Sequence, residues 1–368
     1  MKKIAVIYGT RPEAIKLAPV IVELKKIDDF EVIVICTGQH KEMLVGIMEL
    51  WGIVPNILLE YDFTSGRSSA IPGIMIELEK EFLKLAPDFV VVQGDTATAT
   101  AAALQAHALH IPVGHVEAGL RSEDLWNPWP EEANRKIIDA ISSLHFAPTK
   151  GSLSNLIDEG NEKTSVLTGN TVVDALHHAI ELLDRNPDIR SSVQELLDFS
   201  LDEPFILFTQ HRREGFGVGQ NQVFDAVIQL AALGHKIVFP VHLNPSVRSK
   251  VAERLEGKPG ITLIEPQRYL PFLELIRSSN LIVSDSGGLQ EEAPSFRKSI
   301  LITRIRTERP EVVEAGFGHL VGFETSLIVN LAQSLLTRIN EDLKNPFGDG
   351  LAASRIAKHI QNFVTGSI

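Results

Sequence analysis

Hydrophobic residues in this chain fall into two recurring patterns, short unbroken apolar runs and longer stretches with apolar positions at helical spacing. Residues 4–8, 31–36, 88–93, 111–117 and 144–149 are runs of the first kind. They are too uniformly apolar to present a wet face, so they are predicted to be parallel strands covered on both sides. Between them, residues 14–24, 74–85 and 98–108 carry the helical spacing. Pro12 suits a first helical turn, whereas Pro19 is expected to kink or restart its helix. Residues 166–171 read as a crossing between two halves, followed by a helix over 172–183. A second series then begins, with strands predicted at 205–210, 236–240, 261–264, 281–283 and 299–302, and a last helix over 351–363. Strand–helix alternation of this kind predicts an α/β fold with two parallel, doubly wound, Rossmann-like sheets.

Composition narrows the class. With 368 residues, 44% of them hydrophobic and 22% charged, the chain is globular and long enough for two domains. A net charge of -12 without any basic run argues against a nucleic-acid partner. Cys36 is the single cysteine, which leaves no disulfide framework and no cysteine-based zinc site. The first apolar run ends at Tyr8, too short for a secretion signal, and no run approaches the ~20 residues of a membrane span. A soluble, cytoplasmic protein without a membrane partner is expected.

Candidate chemistry gathers at predicted strand ends, where open α/β sheets bind ligands. After residues 281–283 comes Ser284-Asp285-Ser286-Gly287-Gly288, two glycines at the start of a predicted helix. Such a helix N-terminus offers outward N–H groups to phosphate, and Glu292 one turn on could accept hydrogen bonds from a ribose. The same stretch also reads as an ordinary strand–turn–helix connection. Arg11 and Lys16 fall near the end of the first strand; Asp95 and Glu117 fall at the ends of two others. Glu131 lies in the first turn of a helix, where capping would suffice to explain it, and Asp95 could likewise cap its own helix. His211 heads the run His211-Arg212-Arg213-Glu214 or is simply a core histidine. A metal site of His115, Glu117 and Asp95 is conceivable on residue type alone.

Taken in order, these segments resemble one family. Gly9-Thr10-Arg11-Pro12-Glu13-Ala14-Ile15-Lys16, Gly94-Asp95-Thr96, His115-Val116-Glu117-Ala118-Gly119-Leu120-Arg121 and Pro130-Glu131-Glu132-Ala133-Asn134-Arg135 are similar to the non-hydrolysing UDP-N-acetylglucosamine 2-epimerases. So are Gly169-Asn170-Thr171, His211-Arg212-Arg213-Glu214, Pro240-Val241-His242-Leu243-Asn244-Pro245, the Ser-Asp-Ser-Gly-Gly stretch and Thr307-Glu308-Arg309-Pro310-Glu311. The resemblance covers nearly the whole chain. It implies the glycosyltransferase-B fold, two Rossmann-like domains facing a cleft. Residues 1–168 would form the domain with the catalytic carboxylates, 169–350 the UDP-binding domain, and 351–368 a helix packing back on the first.

The implied activity is reversible epimerisation at C2 of UDP-GlcNAc, by elimination of UDP to a 2-acetamidoglucal and re-addition. Asp95, Glu117, Glu131 and His211 match residues assigned to catalysis, with Glu117 the first choice for the base. Arg11, Ser286, Gly287 and Gly288 match phosphate-binding positions and Glu292 the ribose-binding glutamate. Lys16, Arg135, Asn170, Arg212, His242, Phe272 and Arg309 complete the implied substrate contacts, with Tyr269 and Phe272 near the uracil. No metal or cofactor is implied; a homodimer serving polysaccharide biosynthesis is. Some family members bind a second, activating substrate. Gln39, Arg67, Arg212 and His242 match that site, but Glu42 replaces a glutamine there. Ile305 and Arg306 replace the Asp-Thr usual before Thr307. Related epimerases act on UDP-2,3-diacetamido-glucuronic acid, whose carboxylate Arg306 could pair. A glycosyltransferase and a nucleotide-sugar sensor are the remaining alternatives.

Overall fold

The structure, a computed structural model, describes residues 1–39, 46–61, 67–210, 218–241, 245–338 and 340–366. The chain forms two compact units, residues 1–175 with 347–368, and residues 176–346.

The first unit is built on seven strands: β1 (Lys2–Tyr8), β2 (Phe30–Cys36), β3 (Ile57–Leu58), β4 (Phe89–Gln93), β5 (Val113–Val116), β6 (Leu144–Ala147) and β7 (Ser165–Leu167). Their order is β3-β2-β1-β4-β5-β6-β7, and every pairing is parallel. Ile4 to Ile7 are wholly buried because helices cover both faces, which is why β1 reads as a continuous apolar run. On one face Ile7, Ile35, Val90 and Val92 pack with Leu78, Phe82 and the alanines of helix Ala97–Ala108. The order reverses between β1 and β4, so chain connections diverge there and leave both strand ends open at the C-terminal edge.

The last helix, Ala352–Thr365, belongs to this unit. Asp174 accepts hydrogen bonds from the N–H groups of Ala352 (3.3 Å) and Ala353 (2.9 Å), satisfying donors at its start. At its other end Phe363 meets Phe89 edge-on at 5.5 Å.

The second unit carries β8 (Phe205–Thr209), β9 (Lys236–Pro240), β10 (Ile261–Ile264), β11 (Leu281–Ser284), β12 (Ser299–Ile302) and β13 (Gly318–Leu320). All are parallel, in the order β10-β9-β8-β11-β12-β13, with the reversal between β8 and β11. Phe208 is central to its core, with the Phe239 ring centroid 4.6 Å away and Phe224 beyond.

Two local expectations are corrected. Residues 166–171 are not a bare crossing: Ser165–Leu167 is the edge strand β7, and Thr168 still donates its N–H to Ala147. Pro19 neither ends nor restarts its helix, which runs unbroken over Arg11–Lys25 with Pro19 buried inside it. Packing against β2 and the last helix overrides the local preference there. Among the described residues, no helix is long and apolar enough to cross a membrane.

Candidate active site

Asp95 stands where β4 ends. It does not cap the following helix; Thr96 does, accepting from the Ala99 N–H at 3.0 Å. The Asp95 carboxylate is instead held by Arg135, whose Nε and Nη2 lie 2.8 and 2.7 Å from Oδ2. Asn134 donates to the Asp95 backbone carbonyl at 2.8 Å. Both partners come from helix Glu131–Ile141, and both are buried. Arg135 Nη1 also donates to Glu132 Oε2 at 3.1 Å, and that oxygen accepts the Ser122 N–H at 3.0 Å. Glu132 therefore acts inside this network. Its neighbour Glu131 is half-buried at the helix start, and its Oε2 has no hydrogen-bond partner among the described residues.

Glu117 follows β5 directly, with φ of +67°, a left-handed conformation rare for residues with a side chain. Strain of about 1 kcal/mol or more survives only where surrounding contacts over-determine it. Those contacts are strong. Lys16 Nζ lies 2.7 Å from each carboxylate oxygen, and the Gln93 amide donates to Oε2. Lys16 and Glu117 are both buried, so the ammonium stabilises the ionised form of the carboxylate where water cannot. β4 and β5 are neighbours, so Asp95 and Glu117 occupy adjacent strand ends, each bonded to a buried cation.

Glu13, to which the sequence reading assigned no role, ties the β1 end to the β4 end. Its Oε2 accepts from the N–H groups of Gly9 (3.0 Å) and Thr10 (2.7 Å), its Oε1 from the Thr96 hydroxyl (2.6 Å). Burial pushes its carboxyl from 4.5 up to about 7, against the pull of those donors. The folded chain then holds this proton more tightly than the unfolded chain. That part of the stability is fully present below pH 4.5 and is lost as pH rises through about 7. Unfolding curves should show the native chain losing stability relative to Glu13→Gln across this window, by up to about 1.4 kcal/mol per pH unit. Parallel pH profiles would mean that Glu13 titrates alike in both states.

The remaining first-unit positions are placed as follows. Arg11 is half-buried at the start of helix Arg11–Lys25. Asn170 is buried, and its Oδ1 accepts the Val172 N–H at 3.0 Å, a turn-forming bond at the head of helix Thr171–Arg185. Gln39 Oε1 accepts from the Thr98 hydroxyl at 2.9 Å. His115 is bonded to Asp139 and to the Gly94 carbonyl, so His115, Glu117 and Asp95 each have other partners. Among the described residues no three His, Cys, Asp or Glu side chains converge as metal ligands.

In the second unit, the end of β11 is knitted to β8. Ser284 Oγ lies 2.7 Å from Thr209 Oγ1 and accepts the Ser286 N–H at 2.9 Å. Ser286 is the N-cap of helix Gly287–Glu292, its hydroxyl accepting from Leu289 N–H at 3.4 Å. Gly288 is exposed, and a Cβ there would meet nothing closer than Ser286 Oγ at 3.8 Å. Neither packing nor backbone conformation demands this glycine, which leaves close approach from outside as its physical use. Arg309 donates from Nε to Glu291 (2.6 Å) and from Nη1 to Glu308 (2.9 Å). Phe272 and Glu292 are half-buried and Tyr269 is buried. His211, Arg212, His242 and Glu42 lie outside the described residues, as does the side chain of Arg67.

The sequence model of the family described as UDP-N-acetylglucosamine 2-epimerase matches residues 22–361. The chain belongs to that family. The UDP-N-acetylglucosamine 2-epimerase of Yersinia pestis is 42% identical over 370 residues, 98% of each chain, and that of Escherichia coli K12 is 42% identical over 374 residues with the same coverage. The Neisseria meningitidis UDP-GlcNAc 2-epimerase, solved with UDP-GlcNAc bound, superposes with a TM-score of 0.92 at 39% identity, covering 98% of this chain and 100% of that one. The Methanocaldococcus jannaschii enzyme, solved with UDP-GlcNAc and UDP, gives 0.85 at 35%, covering 98% and 99%. Membership makes this chain an enzyme of the isomerase class, with an α/β fold of glycosyltransferase-B type. Within this epimerase, Glu13, Gln93, Glu132 and Asp139 escaped the sequence reading. Their one sequence signal was position in or beside strand-end motifs, where nothing marks which side chain each one meets.

Proposed function

We propose that the chain interconverts UDP-N-acetylglucosamine and UDP-N-acetylmannosamine by inverting C2. The observation that carries this proposal is the pair of carboxylates at adjacent strand ends, Asp95 and Glu117, each bonded to a buried cation. Relatives that share the family bear the name of this activity.

The C2 proton of the sugar is not acidic, because the neighbouring acetamido group stabilises a carbanion poorly. A base must remove it while the C1–O bond loosens. The C2–H electron pair becomes the C1=C2 bond, and the C1–O pair leaves with UDP. Re-addition of UDP, with proton return on the opposite face of C2, completes the inversion at an unchanged oxidation state. Glu117 is the base in this scheme, with Asp95 and Glu131 available to return the proton. The Ser286 hydroxyl and the N–H groups of Gly287 and Gly288 take the charge that builds on the diphosphate. His211 is assigned to leaving-group stabilisation on residue type. Incubation with UDP-N-acetylglucosamine should yield the manno epimer by proton NMR, and the same mixture should form from either sugar. No interconversion in either direction would remove the proposal.

A second substrate is favoured by one observation. Arg306 is exposed at the exit of β12, and Glu308 is bonded to Arg304 and Arg309. An exposed guanidinium there either points into solvent or pairs with a sugar carboxylate, as in UDP-2,3-diacetamido-glucuronic acid. If the uronate is the substrate, Arg306→Thr should reduce kcat/KM for it by about 2–3 kcal/mol and spare UDP-N-acetylglucosamine. Equal effects on both sugars would exclude Arg306 from specificity.

A further inference from the structure

One buried pair is bonded to backbone beside both carboxylates. His115 lies in β5 and Asp139 in helix Glu131–Ile141, with relative exposures of 0% and 1%. Asp139 Oδ1 is 2.5 Å from His115 Nδ1, while its Oδ2 accepts from Gly119 N–H (3.1 Å) and Arg121 Nη2 (2.7 Å). The other ring nitrogen, His115 Nε2, is 2.8 Å from the Gly94 carbonyl oxygen. Gly94 directly precedes Asp95, and Gly119 comes two residues after Glu117. Gly119 has φ of +83°, and a Cβ on it would lie 2.2 Å from the Ser152 carbonyl oxygen, so only glycine fits this turn.

A carbonyl oxygen only accepts, so His115 donates from Nε2 to Gly94. Burial works to raise the Asp139 carboxyl, but His115 and Arg121 hold it down at about 2. The charged and titratable groups around the pair are Arg121, Glu159 and Lys136, with His145 on the adjacent strand donating from Nε2 to the Asp139 carbonyl.

We propose that the hydrogen-bonded His115–Asp139 pair is a positioning device for the epimerisation, fixing the Gly94 and Gly119 backbone so that Asp95 and Glu117 stand in working geometry. The pair touches no substrate in this scheme, and the proposal rests on the epimerase reading given above. Shape alone does not require it, since buried polar groups are often replaceable by apolar residues of similar volume without loss of stability. Its bonds instead run to the backbone at two points next to the two carboxylates. Displacing a reacting group by about 1 Å costs on the order of 10²-fold in rate.

The test combines a spectroscopic readout with kinetics. In the native chain at pH 7, the Gly119 amide hydrogen, held by Asp139 Oδ2, should exchange slowly with solvent by NMR. Asp139→Asn and His115→Gln should each lower kcat for UDP-N-acetylglucosamine by about 10²-fold, while UDP affinity by calorimetry stays within about threefold. Unprotected exchange of the Gly119 amide in the native chain would overturn the proposal, and so would a folded variant with normal turnover. A kcat loss that merely follows a loss of UDP affinity or of fold would assign the pair to stability alone. Should neither variant fold, the native spectrum decides. Native turnover in the same assay separates failure of this proposal from failure of the epimerase reading.

Discussion

Glu117→Gln should lower turnover of UDP-N-acetylglucosamine by about 10²-fold or more and leave UDP affinity nearly unchanged, because it removes the carboxylate proposed as the general base. Gln keeps the size of the side chain, and the left-handed backbone at residue 117 is held by its surroundings. What disappears is the carboxylate to which Lys16 Nζ is bonded at 2.7 Å and which the proposal makes the base. UDP affinity is the control, since the phosphate donors assigned to UDP in the second unit, Ser286 to Gly288, are untouched. Near-normal turnover in Glu117→Gln would take this residue out of the chemistry and move the base to Asp95 or Glu131.

Lys16→Met should destabilise the first unit strongly. The substitution keeps an unbranched chain of similar length and deletes the ammonium bonded to both oxygens of Glu117. Removing one partner of a buried pair leaves the other charge in a medium that solvates it poorly, at a cost of about 3–5 kcal/mol. The low end is expected here, because Gln93 continues to donate to Oε2. Chemical denaturation should therefore place the variant about 3 kcal/mol below the native chain. The double variant Lys16→Met with Glu117→Gln should recover much of that loss, since no charge remains to be compensated. A loss below about 1 kcal/mol, or no recovery in the double variant, would show that the pair does not hold this region together.

The sequence revealed the sheets well because their strands are buried on both faces and so appear as apolar runs bounded by polar strand ends. It did not reveal β3 or β13. Ile57–Leu58 and Gly318–Leu320 are two and three residues long, too short for any periodic signal, and they are strands because a neighbour offers them hydrogen bonds. At Pro19 the restart suggested by a strong local preference is absent, because packing carries the helix through. In the candidate site, Asp95 and Glu117 were legible from strand-end position alone. Their counter-charges were not paired to them by any spacing: Lys16 is 101 residues from Glu117, and Arg135 is 40 from Asp95. Asp139 carried less signal still, as an acidic residue in the last turn of a helix whose partners come from β5 and the loop that follows it.

The central claim is that carboxylates of the first unit remove and return the C2 proton of a UDP-sugar. Incubation with UDP-N-acetylglucosamine in heavy water, followed by proton NMR, tests it most directly. Deuterium should appear at C2 of both the epimer and the recovered substrate, and Glu117→Gln should slow both incorporations together. Epimer that forms with its original C2 hydrogen fully retained would contradict the claim.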